Sequence, residues 1–414
     1  MKIIHLSQSD ISGGASRAAY RIHNMLIKNR INSSMWVDIK KSEDKTVFGP
    51  DSKINKFINS KKQHLRFPLN KILKSNLFGM HSPSILSSKW LKKINTSNAD
   101  IVHLHWIQGE MISIKEISEI KKPIVWSFHD MWPFCGCEHY AYNLRYCEGY
   151  NSENRSKNEF WFFDINRWIW ERKVKYLKKP LQIISPSNWM TNCVKKSFIM
   201  KNWPIETIPH PIDVFKWKQL DKNLSRNELN LPLNSKLIIF GAISGIKDNR
   251  KGFKFLVPAL KHLKKMSSFK DIDLIIFGAT KKKNFTDIDY KIHQFSEISD
   301  DKILQKLYSA ADVMVVPSKL ETFGQTATES LACGTPVVAF NDTGLSDIIE
   351  HKKSGYLAKY LNEIDLADGI SWVLENSYKN NLSINSRKRA ENYFSDEVII
   401  KKYLDMYNRR LLGK

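Results

Sequence analysis

Short runs of hydrophobic residues recur along the first half of the chain, separated by longer amphipathic or polar stretches. The runs lie at residues 2–6, 34–39, 101–106, 123–128 and 181–185. Nearly continuous apolar runs of this length predict parallel strands that are buried on both faces, and the intervening stretches can hold crossover helices. The first half therefore predicts a domain in which strands and helices alternate.

A second series of the same kind follows at residues 236–240, 273–278, 312–317 and 335–340. Amphipathic stretches such as residues 301–310 separate these runs. Because the alternation occurs twice, the predicted fold class is α/β with two doubly wound, Rossmann-like domains. The predicted boundaries are 1–200 for the first domain and 201–385 for the second, with a helical segment at 386–414 that packs back on the first domain.

The charge balance narrows the classes of partner. The 414 residues include 65 Lys plus Arg and 42 Asp plus Glu, a formal net charge of +23. Such an excess favours a polyanionic partner: nucleotide phosphates, nucleic acid or an anionic membrane surface. None of the helix-turn-helix, RRM or zinc-finger patterns occurs, so a nucleic-acid-binding protein is a less favoured interpretation of this charge than the other two.

Cysteine content and hydropathy bear on the compartment. Five cysteines in a chain of this length are not a disulfide scaffold and favour a reducing compartment. The first residues turn polar too early for a secretory signal, and no apolar run reaches the roughly 18 to 20 residues of a membrane-spanning helix. We expect a cytoplasmic protein whose membrane contact is peripheral.

Gly13 and Gly14 follow the first predicted strand and precede a stretch of helical composition that begins near Ala15. Glycines in this position let backbone N–H groups approach an anion at a helix N-terminus. A tight turn without a ligand explains the same residues equally well. Asp38, at the end of the second run, suggests a nicotinamide-dependent dehydrogenase or epimerase as a competitor, but the G-x-G-x-x-G spacing is missing.

The segment 317–336 carries the strongest chemical signal. It follows a predicted strand and contains Glu321 and Glu329, eight residues apart. Thr322 is the expected N-cap, so the first turn, whose N–H groups can hold a phosphate, consists of Phe323, Gly324, Gln325 and Thr326. Eight residues of helix span about 12 Å, similar to the distance from a hexose to the ribose of a nucleotide sugar. The alternative is a solvated helix face.

These residues resemble a known signature. Glu321-Thr322-Phe323-Gly324, followed by Glu329 and the turn at 332–336, is similar to the E-x7-E signature of retaining glycosyltransferase family 4, which has the GT-B fold of two Rossmann-like domains facing a central cleft. The resemblance implies that Glu321 contacts the transferred sugar and that Glu329 contacts the ribose hydroxyls. It also implies that the amides of 323–326 bind the diphosphate.

Two further positions take their roles from this resemblance. The family places an Arg and, several residues later, a Lys on the donor phosphates after the first strand of its second domain. Here Arg250 directly precedes Lys251, so both are expected to bind the donor although the spacing departs from the family pattern. A solvated basic loop is the alternative. Gly13 and Gly14 complete the expected donor-binding set.

His129 ends a predicted strand of the first domain and resembles the strand-end His of related sugar transferases, which lies beside the donor sugar. We therefore expect His129 to be catalytic, with Asp130 also facing the cleft, although a lone His is often structural. His103 and His105 alternate on the preceding strand and are expected to be buried.

Two other features have alternative explanations. Cys135, Cys137, His139 and Cys147 have the chemistry of zinc ligands but not the spacing of a known zinc motif, so free cysteines are the preferred interpretation. The basic and aromatic segment 159–179, with Lys173, Lys175, Lys178 and Lys179, suits an anionic lipid surface, as does the basic segment 60–74. A helix that buries its aromatic residues explains segment 159–179 as well.

Together these features predict a retaining hexosyltransferase that uses a nucleotide-diphosphate sugar and no metal or other cofactor. The expected acceptor is a glycan, lipid-linked, in the biosynthesis of a cell-surface polysaccharide such as capsule or lipopolysaccharide. The protein is expected at the inner face of the membrane and not on nucleic acid. The alternatives are a GT-B nucleotide-sugar epimerase or hydrolase and, more remotely, a nucleic-acid-binding protein.

Overall fold

A computed structural model describes residues 1–50, 80–155, 163–241, 248–266, 271–278 and 285–413. The chain divides into two compact units, one of residues 1–210 with 400–414 and one of residues 211–399. The first boundary thus lies at residue 210 rather than 200. The return of the chain to the first unit lies at residue 400 rather than 386.

The first unit contains a seven-stranded parallel sheet in the order β3-β2-β1-β4-β5-β6-β7. Its strands are β1 (Lys2–Ser9), β2 (Asn32–Ile39), β3 (Val47–Phe48), β4 (Ile101–Leu104), β5 (Ile124–Ser127), β6 (Gln182–Ser185) and β7 (Ile205–Thr207). Its helices are α1 (Gly13–Lys28), α2 (Trp90–Thr96), α3 (Ile114–Ser118), α4 (Arg145–Glu148), α5 (Ile165–Tyr176) and α6 (Asn188–Lys196).

The second unit contains a six-stranded parallel sheet in the order β10-β9-β8-β11-β12-β13. Its strands are β8 (Lys236–Gly241), β9 (Ile272–Phe277), β10 (Lys291–Phe295), β11 (Val313–Val316), β12 (Val337–Phe340) and β13 (Gly355–Ala358). Its helices are α7 (Lys222–Glu228), α8 (Phe253–Met266), α9 (Asp301–Ala310), α10 (Gln325–Ala332), α11 (Glu363–Asn376) and α12 (Leu382–Phe394). A last helix, α13 (Asp396–Leu411), leads from the second unit back into the first.

The predicted α/β fold class is confirmed, and each hydrophobic run corresponds to a strand. Every residue of β4, β5, β9, β11 and β12 is buried, as expected for parallel strands covered on both faces. The strands that the sequence did not predict, β3, β7, β10 and β13, are short and lie at or near sheet edges. Their half-exposed side chains leave no continuous apolar run to detect. None of the described helices is long and apolar enough to cross a membrane.

Candidate active site

The strand order reverses once in each sheet, between β1 and β4 in the first unit and between β8 and β11 in the second. In open parallel sheets, ligands bind beyond the carboxyl ends of the strands at this reversal. The chain that follows β8 reaches a 3₁₀ turn at Asn249–Lys251, and the chain that follows β11 reaches Glu321. The predicted basic and acidic residues of the donor site therefore share one edge of the second sheet.

The Asn249–Lys251 turn is fixed against the segment after β11. The Asp248 carboxylate accepts a hydrogen bond from the Arg250 amide at 3.0 Å, and the Lys319 amide donates to the Arg250 carbonyl at 2.8 Å. Gly252 adopts φ +74, and a Cβ atom there would stand 1.7 Å from the Pro317 carbonyl oxygen. Only glycine allows this approach, which brings both basic side chains to Glu321.

Glu321 forms the centre of this cluster. Its Oε2 atom lies 2.6 Å from Lys251 Nζ and 3.9 Å from Arg250 Nη1, and the residue is 7% exposed. Burial by itself would raise the pKa of Glu321, but the charges of Lys251 and Arg250 and hydrogen bonds from Lys251 and Ser318 hold this pKa below its ordinary value. The carboxylate is therefore ionised at neutral pH and balances part of the positive charge.

Arg250 is oriented by neighbours other than Glu321. Its Nη2 atom is 3.0 Å from the Asp248 carboxylate, and its Nη1 donates to the Leu320 carbonyl at 3.2 Å. Although its position in the sequence departs from the family pattern, the structure places its guanidinium beside Lys251 and Glu321. Its assignment to donor phosphates stays a prediction.

The helix after Glu321 begins later than predicted. Thr322 is not the N-cap; the helix α10 starts at Gln325, and its N-cap is Gly324, with φ +108 and no side-chain capping bond. Phe323 is buried and packs edge-to-face on Phe394, so its side chain belongs to the core. The first turn therefore consists of Gln325 and Thr326 after the Gly324 cap, and the amide of Phe323 lies outside the helix.

The loop between Glu321 and α10 is held by the 3₁₀ turn Gly344–Asp347. The Gly344 amide donates to the Glu321 carbonyl at 2.8 Å, and a Cβ on Gly344 would stand 2.3 Å from the Thr322 carbonyl oxygen. Leu345 packs so closely on Gly324 that a Cβ there would meet its Cδ2 at 2.5 Å. These contacts fix the direction in which the Glu321 carboxylate leaves the backbone.

Glu329 lies on α10 and is also buried, at 4% exposed. The hydroxyl of Tyr308, at the end of α9, donates a hydrogen bond to Glu329 Oε2 at 3.0 Å. Neither acid of the predicted pair thus belongs to a solvated helix face. Sequence reasoning missed Tyr308, although its position two residues before the end of an amphipathic helix that precedes β11 was a usable signal.

In the first unit, Gly13 opens α1 directly beyond the carboxyl end of β1. Gly13 adopts φ +83 with no atom within 4 Å of a would-be Cβ, so backbone conformation rather than crowding requires glycine there. Gly14 is exposed, and the N-cap Ser12 makes no side-chain capping bond. The accessible N-terminus is compatible with anion binding and with a plain turn.

His129 follows β5 and is buried, at 8% exposed. Its Nε2 atom lies 3.1 Å from His105 Nδ1, and its ring stacks on that of His210 at 5.0 Å between centroids. Burial lowers the pKa of His129 to about 4, although the nearby Asp130 charge opposes this shift. The imidazole is therefore neutral at physiological pH and can act through hydrogen bonds rather than charge.

The expectation that Asp130 also faces a ligand is wrong. The residue is 4% exposed, and its carboxylate accepts hydrogen bonds from Trp106 Nε1 at 2.8 Å, from the Trp132 amide at 3.1 Å and from His139 Nδ1 at 2.5 Å. These partners tie the strand-end segment to its own domain. Asp130 is therefore a structural residue that shapes the loop after His129.

The candidate zinc cluster does not assemble in the part of the chain that the structure describes. His139 uses both ring nitrogens in hydrogen bonds, to Asp130 and to Ser82 Oγ at 2.9 Å. Cys135 and Cys137 are buried free thiols, and burial raises the pKa of both. With Cys147 these residues do not bring three ligand atoms together. Buried, protonated thiols explain Cys135 and Cys137.

The predicted lipid-facing segment is only partly available to a membrane. Residues 60–74 and 156–162 lie outside the described residues. Lys173 is fully buried: its Nζ atom donates to the carbonyls of Trp132, Cys135 and Gly136 and lies 3.8 Å from the Trp132 ring centroid. Lys173 therefore cannot contact lipid. The exposed members of the set are Lys175, Lys178 and Lys179.

Comparison with known proteins agrees with this architecture. The family model described as Glycosyltransferase Family 4 matches residues 12–215, and the one described as Glycosyl transferases group 1 matches residues 221–392. Sucrose-phosphate synthase from Thermosynechococcus elongatus has the same fold, with a TM-score of 0.71 at 16% identity over 100% of each chain. HepE of Anabaena, solved with UDP and glucose, gives 0.65 at 16% identity over 99% of each chain.

Among curated proteins, the capsular polysaccharide biosynthesis glycosyltransferase CapM of Staphylococcus aureus is 27% identical over 202 residues, which cover 47% of this chain and 52% of CapM. The chain thus spans about half the length of the curated relatives it matches. The two family models follow one another along nearly the whole chain, and the two parallel sheets are those of the GT-B fold. The chain therefore belongs to glycosyltransferase family 4, with the GT-B fold.

Proposed function

We propose that this protein transfers a hexose from a nucleotide-diphosphate sugar to a glycan acceptor in the assembly of a cell-surface polysaccharide, with retention of configuration at the anomeric carbon. One observation carries the proposal: Lys251 and Arg250 meet the buried, ionised Glu321 at the strand-order reversal of the second sheet. Such an edge suits an anionic donor, because two cations oppose the diphosphate while one carboxylate faces the sugar hydroxyls.

In this scheme the donor diphosphate balances part of the positive charge of Lys251 and Arg250, which Glu321 balances in the free enzyme. Lys251 and Arg250 stabilise the charge that builds on the diphosphate as it leaves, and the first-turn amides of Gln325 and Thr326 add hydrogen bonds. Glu321 then accepts hydrogen bonds from the sugar hydroxyls. Glu329, oriented by Tyr308, accepts hydrogen bonds from the ribose.

Retention is proposed to occur on the front face of the sugar. The bond between the anomeric carbon and the diphosphate oxygen breaks, the acceptor oxygen bonds to the same face, and the acceptor proton passes to the departing diphosphate. Neutral His129 serves as a hydrogen-bond partner of the donor sugar in this proposal. No step of this scheme uses a metal ion on the donor or the acceptor, so we expect activity without added divalent cations.

Two relatives support the choice of substrates. HepE was solved with UDP and glucose, and CapM is named for capsular polysaccharide biosynthesis. UDP-hexoses are therefore the first donors to test, and a lipid-linked glycan is the first acceptor. An epimerase or hydrolase would use the same donor site without a glycan acceptor.

The test is release of nucleoside diphosphate from a panel of nucleotide sugars, with and without lipid-linked glycan acceptors. A transferase releases diphosphate in proportion to a new glycan product and only when acceptor is present. Release without acceptor would favour a hydrolase, and conversion of the donor without release would favour an epimerase. Failure of every donor to bind would contradict the proposed site itself.

We further propose that the first unit binds the anionic inner face of the membrane. The carboxyl-terminal part of α5 and the residues after it expose Lys175, Lys178 and Lys179, together with Val174 at 40% exposed. Each basic residue near an anionic surface adds about 1 kcal/mol at low salt. Replacing the three lysines by Gln should release the protein from vesicles that contain phosphatidylglycerol, without changing nucleotide affinity.

A matched control removes the same charge elsewhere on the surface. Lys388, Lys401 and Lys402 are exposed on α12 and α13. If their replacement by Gln releases the protein equally, only the overall charge matters and the α5 surface is not specific. Indifference of the unmodified protein to anionic vesicles would favour a soluble acceptor.

A further inference from the structure

Three histidines lie together on one face of the first sheet, at the strand-order reversal. β1 and β4 are parallel neighbours, and His5 pairs in register with His103. His105 stands two residues further along, so its side chain projects from the same face as that of His103. Their exposures are 0%, 0% and 1%. Three imidazoles are thus enclosed in the interior of one unit.

The ligand nitrogens of His5, His103 and His105 lie within 4.8 Å of one another. His5 Nδ1 and His105 Nε2 are 2.9 Å apart, and the rings of His103 and His105 have centroids 4.1 Å apart. Burial, followed by the neighbouring imidazoles, lowers the pKa of all three well below the ordinary value. The imidazoles are therefore neutral at physiological pH, which is the state that binds metal.

The surroundings of the cluster resemble the outer shell of a metal site. His103 Nδ1 lies 2.6 Å from the Tyr407 hydroxyl on α13, and its Nε2 lies 2.8 Å from Ser127 Oγ. His105 Nδ1 lies 3.1 Å from His129 Nε2. Metal-bound imidazoles commonly use the second ring nitrogen in such a hydrogen bond, which fixes the orientation of the ring.

Two buried polar atoms beside the cluster lack a hydrogen-bond partner among the described residues: His5 Nε2 and Ser7 Oγ. Ser7 lies two residues after His5 on the same face of β1. Unpaired buried polar atoms are uncommon and point to an interaction that the described residues do not provide. A cation with imidazole ligands would satisfy the ring nitrogen and could draw on the hydroxyl as a further ligand.

We propose that His5, His103 and His105 bind a divalent transition-metal ion, with Zn²⁺ as the ion that this ligand set and enclosure suit best. Imidazole ligands without carboxylates favour zinc over Mg²⁺ or Ca²⁺. One of the two hydroxyl partners of His103 turns away to free the ligand nitrogen. The ion acts structurally, by joining β1 to β4.

The proposed ion is connected to His129 through its ligand His105, which is hydrogen-bonded to His129. With His105 Nε2 on the metal, its Nδ1 carries the proton and donates to His129 Nε2. This arrangement fixes the tautomer of His129 with its proton on Nδ1. The consequence depends on the role proposed for His129, whereas the metal site stands on its own geometry.

The decisive experiment is Co²⁺ binding by the full-length protein after chelation and dialysis. We expect one equivalent of Co²⁺ to give the visible absorption of a tetrahedral site, to raise the unfolding temperature, and to be displaced by Zn²⁺. X-ray absorption of the Zn²⁺ form should show nitrogen neighbours and no sulfur. Absence of saturable binding, or sulfur ligands that place the ion on cysteines, would overturn the proposal.

The variant His105→Gln should abolish the Co²⁺ spectrum, and His23→Gln is its matched control. The ring of His23 is 5.7 Å from that of His5, but its nitrogens do not belong to the group that lies within 4.8 Å of one another. They are bonded to Ser33 Oγ at 2.7 Å and Thr46 Oγ1 at 2.8 Å. Equal loss of Co²⁺ binding in the two variants would contradict the assignment. If His105→Gln fails to fold, the spectrum and X-ray absorption of the unmodified protein still decide the matter.

Discussion

Lys251→Met tests the donor site most directly. Methionine keeps most of the length and apolar contacts of lysine but removes its charge, so the effect on ligand binding comes from electrostatics and hydrogen bonding. In the free protein Lys251 Nζ is 2.6 Å from Glu321, and both side chains are largely buried. The substitution leaves Arg250 as the basic partner of Glu321, at 3.9 Å.

The expected loss of diphosphate affinity follows from two opposing contributions: the attraction of Lys251 for a phosphate, and the neutralisation of that charge by Glu321. A unit charge at about 4 Å from a phosphate is worth about 4 kcal/mol at the effective dielectric of a protein surface. Glu321 already neutralises part of the Lys251 charge, so the net loss should approach that of one charge-assisted hydrogen bond, about 1.5 to 3 kcal/mol. The dissociation constant for a nucleoside diphosphate should therefore rise about 10-fold to 150-fold.

The assay is calorimetric titration of the protein with UDP, or with whichever diphosphate the donor panel identifies, at fixed ionic strength. Lys254→Met is the matched control, because Lys254 is exposed on the first turn of α8, three residues away. Its loss should change the dissociation constant less than about threefold, since exposed charges are screened. Equal effects of the two substitutions would assign Lys251 to the solvated surface and refute the reasoning.

Further predictions concern other buried polar groups. Glu321→Gln should lower turnover while UDP binds as tightly or more tightly, because the carboxylate competes with the diphosphate for Lys251; weaker binding in calorimetry would contradict this. Tyr308→Phe leaves Glu329 with one hydrogen bond fewer and should cost about 1 to 3 kcal/mol in UDP affinity and stability together. Lys173→Met should lower the free energy of unfolding, measured by urea titration, by about 3 kcal/mol or more, because three buried carbonyls lose their hydrogen-bond donor. Lys175 is exposed, so Lys175→Met should change the free energy of unfolding by no more than about 0.5 kcal/mol. The pKa of Glu321 is lowered in the folded state, so its ionised form contributes stability above the ordinary glutamate pKa of about 4.3. The coupling free energy between Glu321 and Lys251, measured by a double-mutant cycle, should therefore disappear only as the pH falls through the lowered pKa.

The pattern of hydrophobic runs was sufficient for the fold class, and the residues around Glu321 and Glu329 carried the resemblance to the family. Parallel strands covered on both faces must be apolar along their whole length, so β4, β5, β9, β11 and β12 were visible in the sequence. The order of acidic, basic and glycine residues around Glu321 was visible too. Chain order keeps those residues near the strand ends, where ligands bind.

Local pattern could not decide where a side chain points. Thr322 has the chemistry of an N-cap, but the packing of Phe323 into the core and of Leu345 against Gly324 delays the helix until Gln325. Lys173 lies in a basic run, yet its side chain is buried, because its Nζ atom donates hydrogen bonds to three backbone carbonyls of the loop at 132–136. In both cases long-range contacts outweigh the local preference.

The tertiary structure also decided which distant residues became partners. Asp130 follows His129 directly, but hydrogen bonds from Trp106 and His139 turn its carboxylate into the domain. His5 and His103 are 98 positions apart in the sequence and become neighbours only because β1 and β4 pair at the reversal of strand order. Periodicity reveals which face of a strand a residue occupies, whereas strand pairing, which depends on the whole sheet, determines what it meets there.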